Sequence, residues 1–89
     1  MGIIGVKIKI MPTSPEVNLT LIEKKVKSLV EQNKGYNREY SIEPIAFGLK
    51  ALIAFFEWPE EAPLEEFEEE LKKIKDVNSI QVIDMRKIA

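Results

Sequence analysis

The sequence predicts an α+β domain whose elements run β-α-β-β-α-β, and three patterns carry that expectation. Residues 4–10 alternate apolar and polar with period two, the mark of a half-buried strand. Two stretches, beginning at Leu19 and Leu64, repeat apolar residues at i, i+3, i+7 and i+10, which lays one apolar stripe along a helix. Residues 49–58 are apolar on both sides at once, as suits a central strand whose two faces both want cover.

In the first strand Ile4, Val6, Ile8 and Ile10 fall on one side and Gly5, Lys7 and Lys9 on the other. Met11-Pro12 ends it, and Thr13-Ser14-Pro15 makes a turn. The first helix carries the stripe Leu19, Ile22, Val26, Leu29 and Val30. Asn18 suits its N-cap, where a side-chain oxygen accepts from a free N–H of the first turn. Val17 and Ile22 have the spacing of a hydrophobic staple across that cap. Asn33-Lys34-Gly35 closes the helix, with Gly35 or Asn33 able to take the left-handed conformation. Residues 36–43 alternate again, Tyr36, Arg38, Tyr40 and Ile42 against Asn37, Glu39, Ser41 and Glu43. Polar groups on both sides mark an edge strand, which Pro44 interrupts.

In the central strand, residues 49–58, Leu52, Ala54 and Phe56 face one way and Ala51, Ile53 and Phe55 the other, and Pro59 stops it. Pro63 suits the first turn of the second helix, whose stripe is Leu64, Phe67, Leu71 and Ile74. Glu65, Glu66 and Glu68 lie toward its N-terminal half and Lys72, Lys73 and Lys75 toward its C-terminal end, an order that complements the helix dipole. Glu68–Lys72 and Glu69–Lys73 are expected as i,i+4 pairs. The last strand, residues 79–87, sets Ile80 and Val82 against Ile83 and Met85. With two right-handed crossovers this order gives a ferredoxin-like sandwich. Strands one and three lie in the middle of a four-stranded antiparallel sheet, both helices cover one face, and the other face stays open. Eighty-nine residues hold one such core, so residues 1–89 read as a single domain.

Composition removes several kinds of function. Without Cys there is no disulfide scaffold, thiolate nucleophile or Cys-based zinc site, and without His no imidazole base and no His-ligated metal. No cofactor and no bond-making chemistry are expected. The longest apolar run, residues 51–56, is far short of the roughly 20 residues of a membrane span. No basic segment precedes the apolar N-terminal residues, as a signal peptide would require. A soluble cytoplasmic binding or regulatory module is the expectation. Net charge is −2, but residues 1–50 hold eight Lys/Arg and five Asp/Glu, a net of +3, against five and ten, a net of −5, in residues 51–89. No broad basic field exists to hold nucleic acid by its phosphates, and the Glu run of the second helix reads as a solvated face.

Two local features remain. In Glu43-Pro44-Ile45-Ala46-Phe47-Gly48-Leu49-Lys50, Pro44 and Gly48 punctuate an apolar stretch and place Phe47 at a reversal of the chain. Phe47 either tucks over one end of the core or stands out as an aromatic anchor for a partner's pocket. The tail Asp84-Met85-Arg86-Lys87-Ile88-Ala89 ends with two adjacent cations. It is either a frayed terminus or a mobile cation delivered to an acidic or metal-binding site on a partner.

At these places the chain resembles the elongation factor 1-beta family, in its archaeal form and in the C-terminal exchange domain of its eukaryotic form. The resemblance runs from the Met-Pro turn through Ser14-Pro15-Glu16-Val17, the Pro44-Ile45-Ala46-Phe47-Gly48 stretch and the acidic second helix to Val82-Ile83-Asp84-Met85-Arg86-Lys87. It implies a ferredoxin-like fold and a guanine nucleotide exchange factor for the GTPase elongation factor 1-alpha, with no direct contact to nucleic acid or membrane. It also implies that Phe47, with Gly48, packs into a pocket on the GTPase's second domain. A C-terminal cation, Lys87 or the neighbouring Arg86, would reach toward the magnesium and phosphate region. Eukaryotic members carry additional N-terminal sequence, so this chain is expected to be the exchange domain alone. The competing reading is a ferredoxin-like module that uses its open sheet face for self-association or RNA.

Overall fold

Alternation in the two central strands decides which way the sheet faces. In the computed structural model, which describes residues 2–89, the elements are β1 (Ile3–Pro12), α1 (Leu19–Gln32), β2 (Tyr36–Pro44), β3 (Lys50–Pro59), α2 (Leu64–Lys72) and β4 (Val77–Lys87). The strands form one antiparallel sheet in the order β2-β3-β1-β4, so the fold is the expected ferredoxin-like sandwich. Val6, Ile8 and Ile10 of β1 stand opposite Phe56, Ala54 and Leu52 of β3, and all six are fully buried beneath the helices. Leu19, Ile22, Val26 and Val30 of α1 and Phe67 and Leu71 of α2 complete that core. Phe56, Trp58 and Phe67 meet with ring centroids 4.6–5.9 Å apart, and the Trp58 indole N–H donates to the Ala62 carbonyl at 3.2 Å, so the largest buried side chain has no orphaned donor.

The start of α1 is capped as expected: the Asn18 side-chain oxygen accepts from the Thr20 N–H at 2.9 Å. Its end differs. Lys34, rather than Gly35 or Asn33, takes the left-handed conformation, with φ of 65°. The Lys34 N–H bonds to the Glu31 carbonyl and the Gly35 N–H to the Val30 carbonyl, the paired bonds of a Schellman end. Gly35 is needed for room instead. A Cβ there would lie 2.8 Å from both the Glu57 carbonyl oxygen and Val30 Cγ1, because the chain turns into β2 directly against β3.

Two strands change face through β-bulges. Between Asn37 and Glu39 the β2 register slips, leaving Arg38 as the extra residue. Tyr36 therefore pairs with Glu57 on the open face and Tyr40 with Ala54 on the helix face, where strict alternation would have put both on one side. In β4 the register slips between Asp84 and Val82, leaving Ile83 as the extra residue. Met85, opposite Val6, thus shares the helix face with Ile80 and Val82 instead of opposing them. Helix α2 is also short. Pro63 stands at its N-cap, Lys73 is already the C-cap, and a left-handed Asp76 turns the chain into β4. The two expected i,i+4 pairs do not form; Lys72 instead meets Glu69 at 3.1 Å. No helix among the described residues is long and apolar enough to cross a membrane.

Candidate partner-binding site

The hairpin joining β2 and β3 closes on a two-residue turn. The Leu49 N–H donates to the Ala46 carbonyl at 2.8 Å and the Ile45 N–H to the Leu49 carbonyl at 2.8 Å. Between them Phe47 has φ of 53° and Gly48 φ of 80°, both left-handed, as in a type I′ turn. Asn-Gly is the sequence such turns favour. Holding a residue with a Cβ in that first position costs about 1–2 kcal/mol, and here the residue is a phenylalanine. Nothing nearby compensates: the Phe47 side chain is 98% exposed. Of the two readings left open by the residues, tucking over the core is therefore wrong. Phe47 stands free on a strained turn. Ile42 and Ile45 are also exposed, so the hairpin end forms an apolar tip that the motif alone did not reveal. Below Gly48, a hollow of about 340 Å³ opens between Pro15, Leu19, Ile42 and Lys50.

The cationic tail sits at the other end of the sheet. Lys87 pairs with Ile4, which itself faces Trp58 near the end of β3, whereas the hairpin tip lies beyond Lys50 at its beginning. Eight strand steps separate these levels, about 26 Å at 3.3 Å per residue, and the turn adds to that. The chain's longest dimension is 42 Å. The expected site residues thus fall into two separate groups, Phe47 with Gly48 and Arg86 with Lys87, at opposite ends of the sheet.

Nor is the tail frayed. The Ile88 N–H donates to the Ile3 carbonyl at 2.8 Å, and the Ile3 N–H to the Ala89 carbonyl at 2.8 Å, so pairing continues past Lys87. Arg86 and Lys87 point to opposite faces, since Arg86 pairs with Gly5 on the open face and Lys87 with Ile4 on the helix face. The Arg86 Nε–H reaches both oxygens of Asp84, at 3.1 and 3.3 Å. The Lys87 ammonium lies 3.7 Å from a Glu60 oxygen and remains well exposed.

The open face between the two ends is a mosaic of charges. Lys9 pairs with Glu43, Arg38 with Glu57 and Arg86 with Asp84. Phe55 is overlaid by the Lys7 ammonium, 5.4 Å from its ring centroid, and Tyr36 by the Arg38 guanidinium at 5.7 Å. Each of these two open-face rings thus has one cation within 6 Å of its centroid. Among the described residues no three acidic, His or Cys side chains gather as a metal site would require.

Comparison with known proteins places this geometry in a class. Residues 5–88 match the family model of the EF-1 guanine nucleotide exchange domain. The elongation factor 1-beta of Methanococcus aeolicus is 41% identical over 86 residues, spanning 96% of this chain and 97% of that protein. That of Methanosarcina barkeri is 38% identical over 89 residues, spanning 99% and 100%. The C-terminal domain of the MgtC protein from Mycobacterium tuberculosis superposes with a TM-score of 0.74 over 98% of this chain and 89% of its own, at 16% identity, which shows a shared fold alone. The class is that of nucleotide exchange in translation elongation. Within it, the chain belongs to the elongation factor 1-beta family, alongside its archaeal members.

Proposed function

We propose that this chain accelerates exchange of GDP for GTP on the GTPase elongation factor 1-alpha. The observation that carries the reading is the exchange-domain match over residues 5–88, spanning both candidate contacts. The thermodynamics are those of linkage. A partner that binds the nucleotide-free GTPase more tightly than the GDP-bound form weakens GDP by the same factor, so the exchange factor needs contacts that favour the empty state and no bond-making step.

In this reading Phe47 is the anchor. Its side chain is already in water and already presented by the turn, so a partner pocket gains its burial without disturbing the core. Lys87 is the acting cation at the far end. An ammonium brought beside the phosphates competes electrostatically with the GTPase's own Mg²⁺, which bridges nucleotide and protein, and so loosens GDP. Lys87 is favoured over Arg86 because the Arg86 guanidinium is engaged by Asp84, whereas the Glu60 contact of Lys87 is long and solvated. With the two ends so far apart, Phe47 supplies affinity and Lys87 acts on the nucleotide.

The test is release of a fluorescent GDP analogue from the elongation factor 1-alpha of the same source. Acceleration by the wild-type chain is expected, with Phe47→Ala raising the concentration needed for half-maximal exchange and Lys87→Ala lowering the maximal rate. No acceleration by the wild-type chain rejects the function. Acceleration that neither substitution reduces rejects the residue roles.

A further inference from the structure

Gly5 lies in the middle of β1's pairing, on the open face, opposite Glu57 on one side and Arg86 on the other. Its φ is not positive, so no backbone conformation calls for glycine there. The space a side chain would take there is filled by the tail. A Cβ at residue 5 would lie 2.7 Å from Ile88 Cδ1, 3.3 Å from Ile88 Cγ1 and 3.3 Å from Phe55 Cε1. The missing side chain is therefore a notch, and Ile88 sits in it. The Lys7, Phe55 and Arg86 side chains border the same hollow.

Because neighbouring residues of a strand point to opposite faces, seating Ile88 on the open face turns Lys87 to the helix face. There its ammonium meets Glu60 at 3.7 Å. The hydrogen bonds joining Ile88 and Ala89 to Ile3 hold the same arrangement from the backbone side. We propose that Gly5 and Ile88 are positioning residues for Lys87: the Gly5 notch seats Ile88, and the seated Ile88 holds Lys87 out from the helix-face corner of the sheet as a directed cation. The proposal rests on the reading that Lys87 acts at the partner's nucleotide site. It makes the tail a fixed probe, in place of the mobile one its terminal position suggested.

The experiment compares Gly5→Ala, Ile88→Ala, Lys87→Ala and the two double variants with Lys87→Ala in fluorescent GDP release, as a function of exchange-factor concentration. Ile88→Ala leaves β1 untouched, and Ile88 is itself half exposed, so the pair remains informative even where Gly5→Ala folds poorly. The expected result is a maximal rate lower by about tenfold in Gly5→Ala and Ile88→Ala, where the cation is slightly misplaced, and lower still in Lys87→Ala, where it is gone. The half-saturating concentration, set at the Phe47 end, stays unchanged. Neither Gly5→Ala nor Ile88→Ala lowers the rate further once Lys87 is already alanine, whereas a merely structural role would subtract from both backgrounds. A loss in Lys87→Ala without one in Gly5→Ala or Ile88→Ala overturns the proposal alone, as do equal losses in both backgrounds. An unchanged rate in Lys87→Ala overturns the reading of Lys87 and this proposal with it.

Discussion

Replacing Phe47 by asparagine separates what this residue does for the partner from what it does to the fold. Phe47 holds a left-handed φ of 53° in the first position of a type I′ turn and is 98% exposed, so its ring contributes no core packing to lose. The left-handed conformation costs a residue with a Cβ about 1–2 kcal/mol, and asparagine is the side chain that tolerates it best after glycine. Phe47→Asn is therefore expected to stabilise the isolated domain by about 1 kcal/mol, a rise in Tm of about 4–8 °C for a chain of this length. Binding moves the other way. Burying a phenylalanine in a partner's pocket is worth about 1.5–3 kcal/mol, so its loss weakens the complex about 10–150-fold. Urea denaturation reads the first effect, and the half-saturating concentration in nucleotide release reads the second. A variant no more stable than wild type refutes the strain argument. Undiminished affinity refutes the anchor.

Three further outcomes follow from the same geometry. At the end of α1, Lys34→Gly relieves a left-handed φ of 65° and is expected to stabilise by about 0.5–1 kcal/mol, while Gly35→Ala forces a Cβ against the Glu57 carbonyl and costs about 1–3 kcal/mol; urea midpoints of the two check the division of labour, and the reverse order refutes it. Gly48→Ala meets only Pro15 Cβ, at 3.8 Å, yet at φ of 80° it is expected to cost about 1–2 kcal/mol in thermal denaturation, since strain rather than a clash opposes it. Tyr40 donates to the Asn37 side-chain oxygen at 2.6 Å, and burial, then Glu23 and Glu31, push its phenol well above the ordinary tyrosine range. Below about pH 10 both folded and unfolded chains keep that proton, and above it only the folded chain does, so Tyr40 makes stability fall as pH rises; Tyr40→Phe is expected to flatten the fall between about pH 10 and 11, and identical slopes would refute it.

The elements were legible because each rests on local physics. Period two in β1, the i, i+3, i+7 stripes of both helices and the doubly apolar β3 all express burial of one or two faces, and the core follows from them. The bulges were not legible. Nothing in the residues around Arg38 or Ile83 marks the extra residue, because a bulge is a mismatch between two strands and exists only once both are paired. That is why Tyr36 and Tyr40, like Val82 and Met85, came out on unexpected sides. The candidate site divides in the same way. Phe47, Gly48, Arg86 and Lys87 could be named from their motifs, and the Phe-Gly pair pointed to a reversal of the chain.

The sequence by itself determined the order of elements, the absence of Cys and His, the buried stripes and the two motifs, Phe47-Gly48 and Arg86-Lys87, that we propose meet a partner. Tertiary structure alone decided that Phe47 is bare and strained, that the motifs stand at opposite ends of one sheet, that Arg86 and Lys87 face opposite ways, and that Gly5 makes room for Ile88. The reason is physical. Burial and turn chemistry are properties of a residue and its near neighbours, whereas exposure, direction and space at a given atom are set by strands from remote parts of the chain.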